Sequence, residues 1–385
     1  MHILVTNDDG PPSNDSSPYV HPFISTLQSQ GHTVSVVLPH TQRSWIGKAH
    51  IVGHNIRPTY FRPDPIPSTL PVSADGTPRY PNTGETSNRP LPSNSQAEEW
   101  ILIDSTPASC AQIGLHHYFK ERGPVDLVVS GPNYGRNTTA VFSLSSGTIG
   151  GAMEAAVCGV RAIALSYAFF DRNHDANIIA EASAHAVKVI EHLAANWDKD
   201  THLYTVNVPL QAGVSKQKTM WTEMLQNAWK SGSCFQEVAI PDSEDEGPSE
   251  AEKEIREREA KIESSSAAGN DGVAGGSGTN TPHARYSHKH FKWAPSFQDV
   301  HDSVEKSEPG NDGWAVRQGI TRYPPFPCPC FAAQALIDFV VLTFTVSHRC
   351  AQTSCTPRRP SKANWSCRGA CQTFPFLEPH DEHHT

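Results

Sequence analysis

Residues 2–10 read HILVTNDDG. His2–Thr6 is a short run, mostly apolar, that passes directly into two adjacent carboxylates and a glycine. A run of this length bounded by turn residues predicts a buried strand of a parallel sheet. Asn7, Asp8, Asp9 and Gly10 then sit at the strand's carboxyl end, where open α/β sheets bind their ligands. Two neighbouring carboxylates repel one another, and a hard divalent cation that prefers oxygen ligands removes that repulsion. Asn, Asp and Gly are also ordinary turn residues, so both readings stand at this point.

Moving outward, Tyr19–Gln30 (YVHPFISTLQSQ) places Val20, Phe23, Ile24 and Leu27 on one helical face, with Gly31 as its stop. Thr33–Leu38 (TVSVVL) is a second strand and Val125–Val129 (VDLVV) another, followed by the loop SGPNYG. Thr148–Val157 reads as a helix, Arg161–Ser166 as a strand and Ala176–Asn196 as a long helix. His202–Val208 is a further strand, stopped by Pro209. This alternation predicts right-handed crossovers and a mainly parallel sheet covered on both faces. Residues 53–100 are rich in Pro, Ser and Asn without a clear period and are expected to form a surface excursion.

Composition bounds the rest. The chain has 385 residues, 37% hydrophobic, with Gly 26 and Pro 31. Part of it is therefore loop or linker. The net charge is −9, and Asp242–Glu263 carries ten acidic and four basic side chains. This gives no electrostatic footprint for a nucleic acid polymer. Met1–Gly10 lacks the basic and apolar regions of a signal peptide, and Phe331–Val346 is shorter than a bilayer needs. No membrane partner is expected. Of the 9 cysteines, only Cys110, Cys158 and Cys234 precede Cys328, which fits a reduced, cytoplasmic enzyme body. The predicted organisation is an α/β domain over 1–240, an acidic and Gly/Ser-rich disordered insert over 241–285, a return segment over 286–319, and a poorly ordered Cys/Pro-rich tail over 320–385. The cysteine spacings of the tail do not match a paired zinc knuckle.

Three further motifs sit near predicted strand or helix ends. Gln42-Arg43-Ser44 follows the second strand and offers a hydroxyl. Ser130–Asn137 (SGPNYGRN) follows VDLVV, and Asn133 lands beside the acidic pair if the two strands are neighbours. Ser143–Thr148 (SLSSGT) runs into a helix whose free N–H groups and positive dipole end suit a phosphate; a simple N-cap has the same composition. Taken together, metal-type oxygen ligands and an anion-binding helix end point to metal-assisted hydrolysis of a phosphate ester. A receiver-type signalling module also carries an acidic pair after its first strand. It additionally needs an Asp and a Lys at later strand ends, where this chain has Ser130 and Ser166.

NDDG, the Ser after strand two, the VSG-x-N-x-G loop and the SGT-x-x-x-A-M-E helix start resemble the SurE family (survival protein E, acid phosphatase and 5′(3′)-nucleotidase). Asp104–Cys110 (DSTPASC) and Asn207-Val208-Pro209 are similar to two more of its motifs. The resemblance implies a three-layer α/β/α Rossmann-like fold and one divalent cation, Mg²⁺ or Mn²⁺. It carries the metal role onto Asp8, Asp9, Ser44 and Asn133. It places Asn137, Ser146, Gly147 and Thr148 at the phosphate of a small-molecule monoester, with Asp8, Asp9 and Asn137 as catalytic groups. Homodimers or homotetramers are implied too. The chain departs from the family where Trp45-Ile46 separates Ser44 from Gly47, where Pro132 precedes Asn133, and after Gly319. If the altered end replaces a core strand, the alternative is a catalytically impaired scaffold.

Overall fold

The computed structural model describes residues 1–238 (except His54, Ser93, Phe170, Asp171 and Asn173), Glu257 and 290–322. The disordered insert and the Cys/Pro-rich tail beyond Arg322 are sequence expectations that lie outside the described residues. The described residues all belong to a compact unit spanning Met1–Ala333.

The chain opens with β1 (His2–Thr6), α1 (Val20–Ser29) and β2 (Thr33–Pro39), then β3 (Pro58–Pro63), β4 (Gly84–Ser87) and β5 (Trp100–Ile103). Next come α2 (Pro107–His117), β6 (Leu127–Tyr134), α3 (Thr139–Ser145) and α4 (Gly147–Val157). β7 (Ala162–Phe169), α5 (Ala176–Ala195), β8 (Leu203–Leu210) and β9 (Thr219–Met220) follow. β10 (Phe235–Val238) pairs with β11 (His290–Trp293), and α6 (Gln298–Glu305), α7 (Asp312–Arg317) and β12 (Thr321–Arg322) complete the order.

Strand order is β4-β3-β5-β2-β1-β6-β7-β8-β12-β9. The six central strands, β5 to β8 in that order, are parallel. The alternation of apolar residues within them builds two cores. In β1, Ile3 and Val5 pack with α1 and α5 residues such as Phe23, Ile24, Ile190 and Leu193, whereas Leu4 packs on the other face with Cys110, Ile149 and Ala152 of α2 and α4. The result is the expected three-layer α/β/α fold. Among the described residues no helix is long and apolar enough to cross a membrane.

Three expectations are corrected. Residues 53–100 are more than a surface excursion: β3 joins the sheet antiparallel to β5, and β4 pairs antiparallel with β3 at the edge. Their residues are mostly half-buried or exposed, so no apolar period marks them. The strand ending in Val208 continues through Pro209, which pairs in register with Ala168. The sheet also takes in Thr321 and Arg322, which the sequence reading gave to the tail.

The sheet is locally deformed where the site begins. The register of β6 against β7 shifts between Ser130 and Asn133. Gly131 holds φ +128°, and a Cβ on it would lie 2.1 Å from the Leu165 carbonyl oxygen. No side chain fits, and non-glycine residues avoid this φ. Gly131→Ala is expected to destabilise the fold by about 3 kcal/mol, lowering Tm by roughly 10 °C, read by circular dichroism melting.

Candidate active site

The chain leaves β1 toward β2 and β5 on one side, and returns through β6, β7 and β8 on the other. Strand order therefore reverses between β1 and β6, the topological switch point where doubly wound sheets open a crevice. Asp8 and Asp9 follow β1 and Asn133 lies at the end of β6, 125 residues later in the chain but on adjoining strands.

Asp8 is buried, with 2% of its surface exposed. Its Oδ1 accepts from the Thr148 hydroxyl, and the same hydroxyl oxygen lies 3.3 Å from Asn133 Oδ1. The Asn133 amide nitrogen donates to the Gly135 carbonyl at 2.7 Å, which turns its oxygen toward Thr148 and Asp8. A carboxylate and an amide oxygen thus meet at one hydroxyl. The approach of α4 to Asp8 requires a glycine: a Cβ on Gly147 would stand 2.8 Å from Asp8 Cβ and Oδ2.

Asp9 is held differently. Its Oδ2 accepts from the Tyr134 backbone N–H at 2.6 Å and its Oδ1 from Gln42 Nε2 at 3.3 Å. Asp9 couples β1 to the bulged end of β6. Ser44 lies on the loop after β2, whose Arg43 N–H donates to the Asp8 carbonyl at 2.6 Å. A cleft opens over these groups, lined by Asp8, Ser44, Asn133, Asn137 and Ser146 on its polar part and by Trp45, Tyr134 and Phe142 elsewhere. Asp9 is not among the lining residues.

The phosphate-end residues divide. Ser146 lines the cleft and caps α4, its hydroxyl accepting from Ile149 N–H at 3.1 Å. The sequence reading placed Thr148 with the phosphate, but its side chain faces Asp8 and Asn133. Asn137 lines the cleft, donates through Nδ2 to Ser166 Oγ at 3.0 Å, and donates its backbone N–H to Asn207 Oδ1 at 2.8 Å. Motif reading missed Arg136, which also lines the cleft and lies with its guanidinium 5.7 Å from the Phe142 ring centre. It is the cleft's cationic side chain, suited to an anionic ligand. Burial, aided by the Arg136 charge, pushes the neighbouring His301 down to about 4, so His301 is neutral beside it at physiological pH.

The candidate ligands are oxygens alone: the Asp8 carboxylate, the Ser44 hydroxyl and the Asn133 amide oxygen in the cleft, and the Asp9 carboxylate outside its lining. That chemistry fits a hard divalent cation, and it contains no soft donor that would favour zinc or copper(I). Among the described residues no three His, Cys, Asp or Glu side chains cluster as a metal site, so a cation here would depend on the neutral oxygens as well.

The profile of the family described as "Survival protein SurE" matches residues 3–231. A protein of Saccharomyces cerevisiae named "Probable tubulin–tyrosine ligase PBY1" is 42% identical over 243 residues, covering 60% of this chain and 31% of that protein. "5′-nucleotidase SurE" of Roseobacter denitrificans is 36% identical over 214 residues, covering 54% of this chain and 67% of the relative. The chain thus spans under a third of the yeast protein and about two thirds of the bacterial one. Among solved structures, the SurE protein from Aquifex aeolicus aligns with a TM-score of 0.51 over 90% of this chain and all of its own, at 19% identity, a likeness of fold. The acidic pair and Asn133, which lie inside the span that the family profile matches, are the residues the sheet brings together at its switch point, and the chain belongs to the SurE family.

Proposed function

We propose that this protein is a divalent-metal-dependent phosphomonoesterase of the cytoplasm that hydrolyses nucleoside monophosphates or related monoesters with water as the nucleophile. The observation that carries the reading is the meeting of Asp8 and Asn133 oxygens at the Thr148 hydroxyl, beside Ser44 in the cleft. The name borne by the bacterial relatives, 5′-nucleotidase, supports the same substrate class.

Asp8, Asp9, Ser44 and Asn133 would hold the cation, Mg²⁺ or Mn²⁺. When bound, the cation supplies Lewis-acid neutralisation of phosphate charge and lowers the pKa of nearby water. The protein's own groups do the rest. Asp8, facing the cleft, orients the attacking water and takes its proton. Asp9, tied to Tyr134 N–H and Gln42, fixes the geometry of Asp8's strand end against β6. Ser146 and the first turn of α4 present N–H groups and the positive dipole end to the phosphate oxygens. Asn137 and Arg136 border the same space, and the guanidinium offsets charge that spreads over those oxygens in the loose transition state. The protein acts as a homodimer or homotetramer in this reading.

The test is hydrolysis of p-nitrophenyl phosphate by the full chain with and without EDTA. EDTA is expected to lower turnover at least about tenfold, and added Mg²⁺ or Mn²⁺ to restore it. Undiminished hydrolysis in EDTA overturns the metal assignment. No hydrolysis under any metal condition favours the impaired scaffold.

A further inference from the structure

Part of the cleft's lining is aromatic. Trp45, Tyr134 and Phe142 form it, and Trp45 directly follows Ser44. Trp45 occupies φ 62°, the left-handed region that a bulky residue rarely adopts. Such strain persists only where the surroundings hold it, and it concentrates at ligand sites.

The surroundings hold this loop firmly. Arg43 N–H donates to the Asp8 carbonyl at 2.6 Å, and Gly47 N–H donates to the Ser145 carbonyl at 2.9 Å. Lys48 Nζ lies 2.5 Å from the buried carboxylate of Glu154 on α4. Behind Trp45 stands a support from two distant parts of the chain. Its ring centre is 4.6 Å from that of Trp293 and 5.8 Å from that of Phe297, both in the return segment. Phe142 of α3 meets it edge to face at 5.5 Å. Trp45 is half-buried and lines the cleft, so these neighbours do not enclose it fully.

We propose that Trp45 sets the specificity of the cleft: its indole stacks on a flat aromatic ring in the alcohol portion of the ester, such as a nucleobase, while the phosphate lies beside Asp8. The inference rests on the phosphomonoesterase reading above and narrows it to esters whose alcohol carries an aromatic ring. Base–aromatic stacking tolerates any base because each has a π face, so Trp45 selects for a ring and not for one base. A role confined to packing α3 against the return segment would affect all substrates alike.

The test compares the full-chain protein with Trp45→Leu and Trp45→Phe, using AMP and glycerol 2-phosphate. Trp45→Leu is expected to lower the ratio of kcat/KM for AMP to that for glycerol 2-phosphate about tenfold, chiefly through KM, and Trp45→Phe to keep most of the ratio. An unchanged ratio in Trp45→Leu overturns the proposal, even if both rates fall. Quenching of intrinsic fluorescence by AMP gives a second readout that needs no turnover. Saturable quenching that Trp45→Leu abolishes supports stacking; its absence in the parent protein overturns it. A parent protein that is quenched by AMP but hydrolyses neither ester keeps the stacking assignment and overturns the hydrolase reading instead.

Discussion

Asp8→Asn lowers turnover by at least about 10³-fold and leaves the fold intact. The substitution keeps the shape of a side chain that is wedged between the Thr148 hydroxyl and the backbone of Gly147, and it keeps Oδ1 as an acceptor for that hydroxyl. What it removes is the charge. A neutral amide binds a hard cation far less well than a carboxylate, and it cannot take a proton from water. Two measurements separate these losses from misfolding. The melting temperature should stay within about 2 °C of the parent value, since the Thr148 hydroxyl keeps its acceptor. The rise in melting temperature on adding Mn²⁺, which reports binding to the folded state, should shrink or vanish. Activity within tenfold of the parent, with an unchanged Mn²⁺ response, would remove Asp8 from the site. Asp9→Ala is a poorer probe, because it also strips the buried Tyr134 N–H of its acceptor and costs about 1–3 kcal/mol of stability.

The difference between Asp8 and Asp9 marks what the sequence could and could not convey. Both stand in one turn after one strand, and nothing in NDDG says which carboxylate faces the cleft. β1, β2, β6, β7 and β8 were legible because each is an apolar run bounded by turn residues, and burial on both faces leaves parallel strands little else to be. The pairing of β1 with β6 was legible only as a condition on Asn133, since sheet order is a long-range property. α2 went unread despite Thr106-Pro107, a helix-start signal, because its buried residues are small and mark no apolar stripe. α3 went unread: Ser143–Ser145 were taken as part of the run leading into α4, and Ser146 both ends the first helix and caps the second. Trp45 registered only as a departure from a motif, since its ring partners lie far along the chain, Phe142 about 100 residues away and Trp293 and Phe297 about 250.

Arg322→Met is expected to cost about 3–5 kcal/mol, the penalty for stranding one member of a buried ion pair. Arg322 and Asp312 are both fully buried, with Nη1 3.0 Å from Oδ2. Burial draws the Arg322 pKa below its ordinary value and the Asp312 charge opposes that shift. The pair holds more than itself. Arg322 Nη2 donates to the Asn137 carbonyl at 2.8 Å, and Asp312 Oδ2 accepts from Thr139 N–H at 2.8 Å. Thr139 sits at φ 70°, a strained start to α3 that this hydrogen bond helps to hold. Asp312 Oδ1 also accepts from Leu225 and Gly313 N–H. A residue at the end of the described chain therefore fixes the backbone on both sides of Thr138, next to the cleft. Removing the guanidinium leaves Asp312 charged in a dry interior and frees the Asn137 carbonyl. At roughly 2–4 °C per kcal/mol for a unit of this size, Tm should fall by about 10 °C or more. The loss should persist in 1 M NaCl, because salt screens exposed pairs and hardly reaches buried ones. Arg322→Met with a melting point within 2 °C of the parent would mean that β12 contributes nothing to the domain. A lowered melting point with normal hydrolysis at 20 °C would confine the pair to stability. If hydrolysis falls as well, with the protein still folded at that temperature, the pair also positions Asn137.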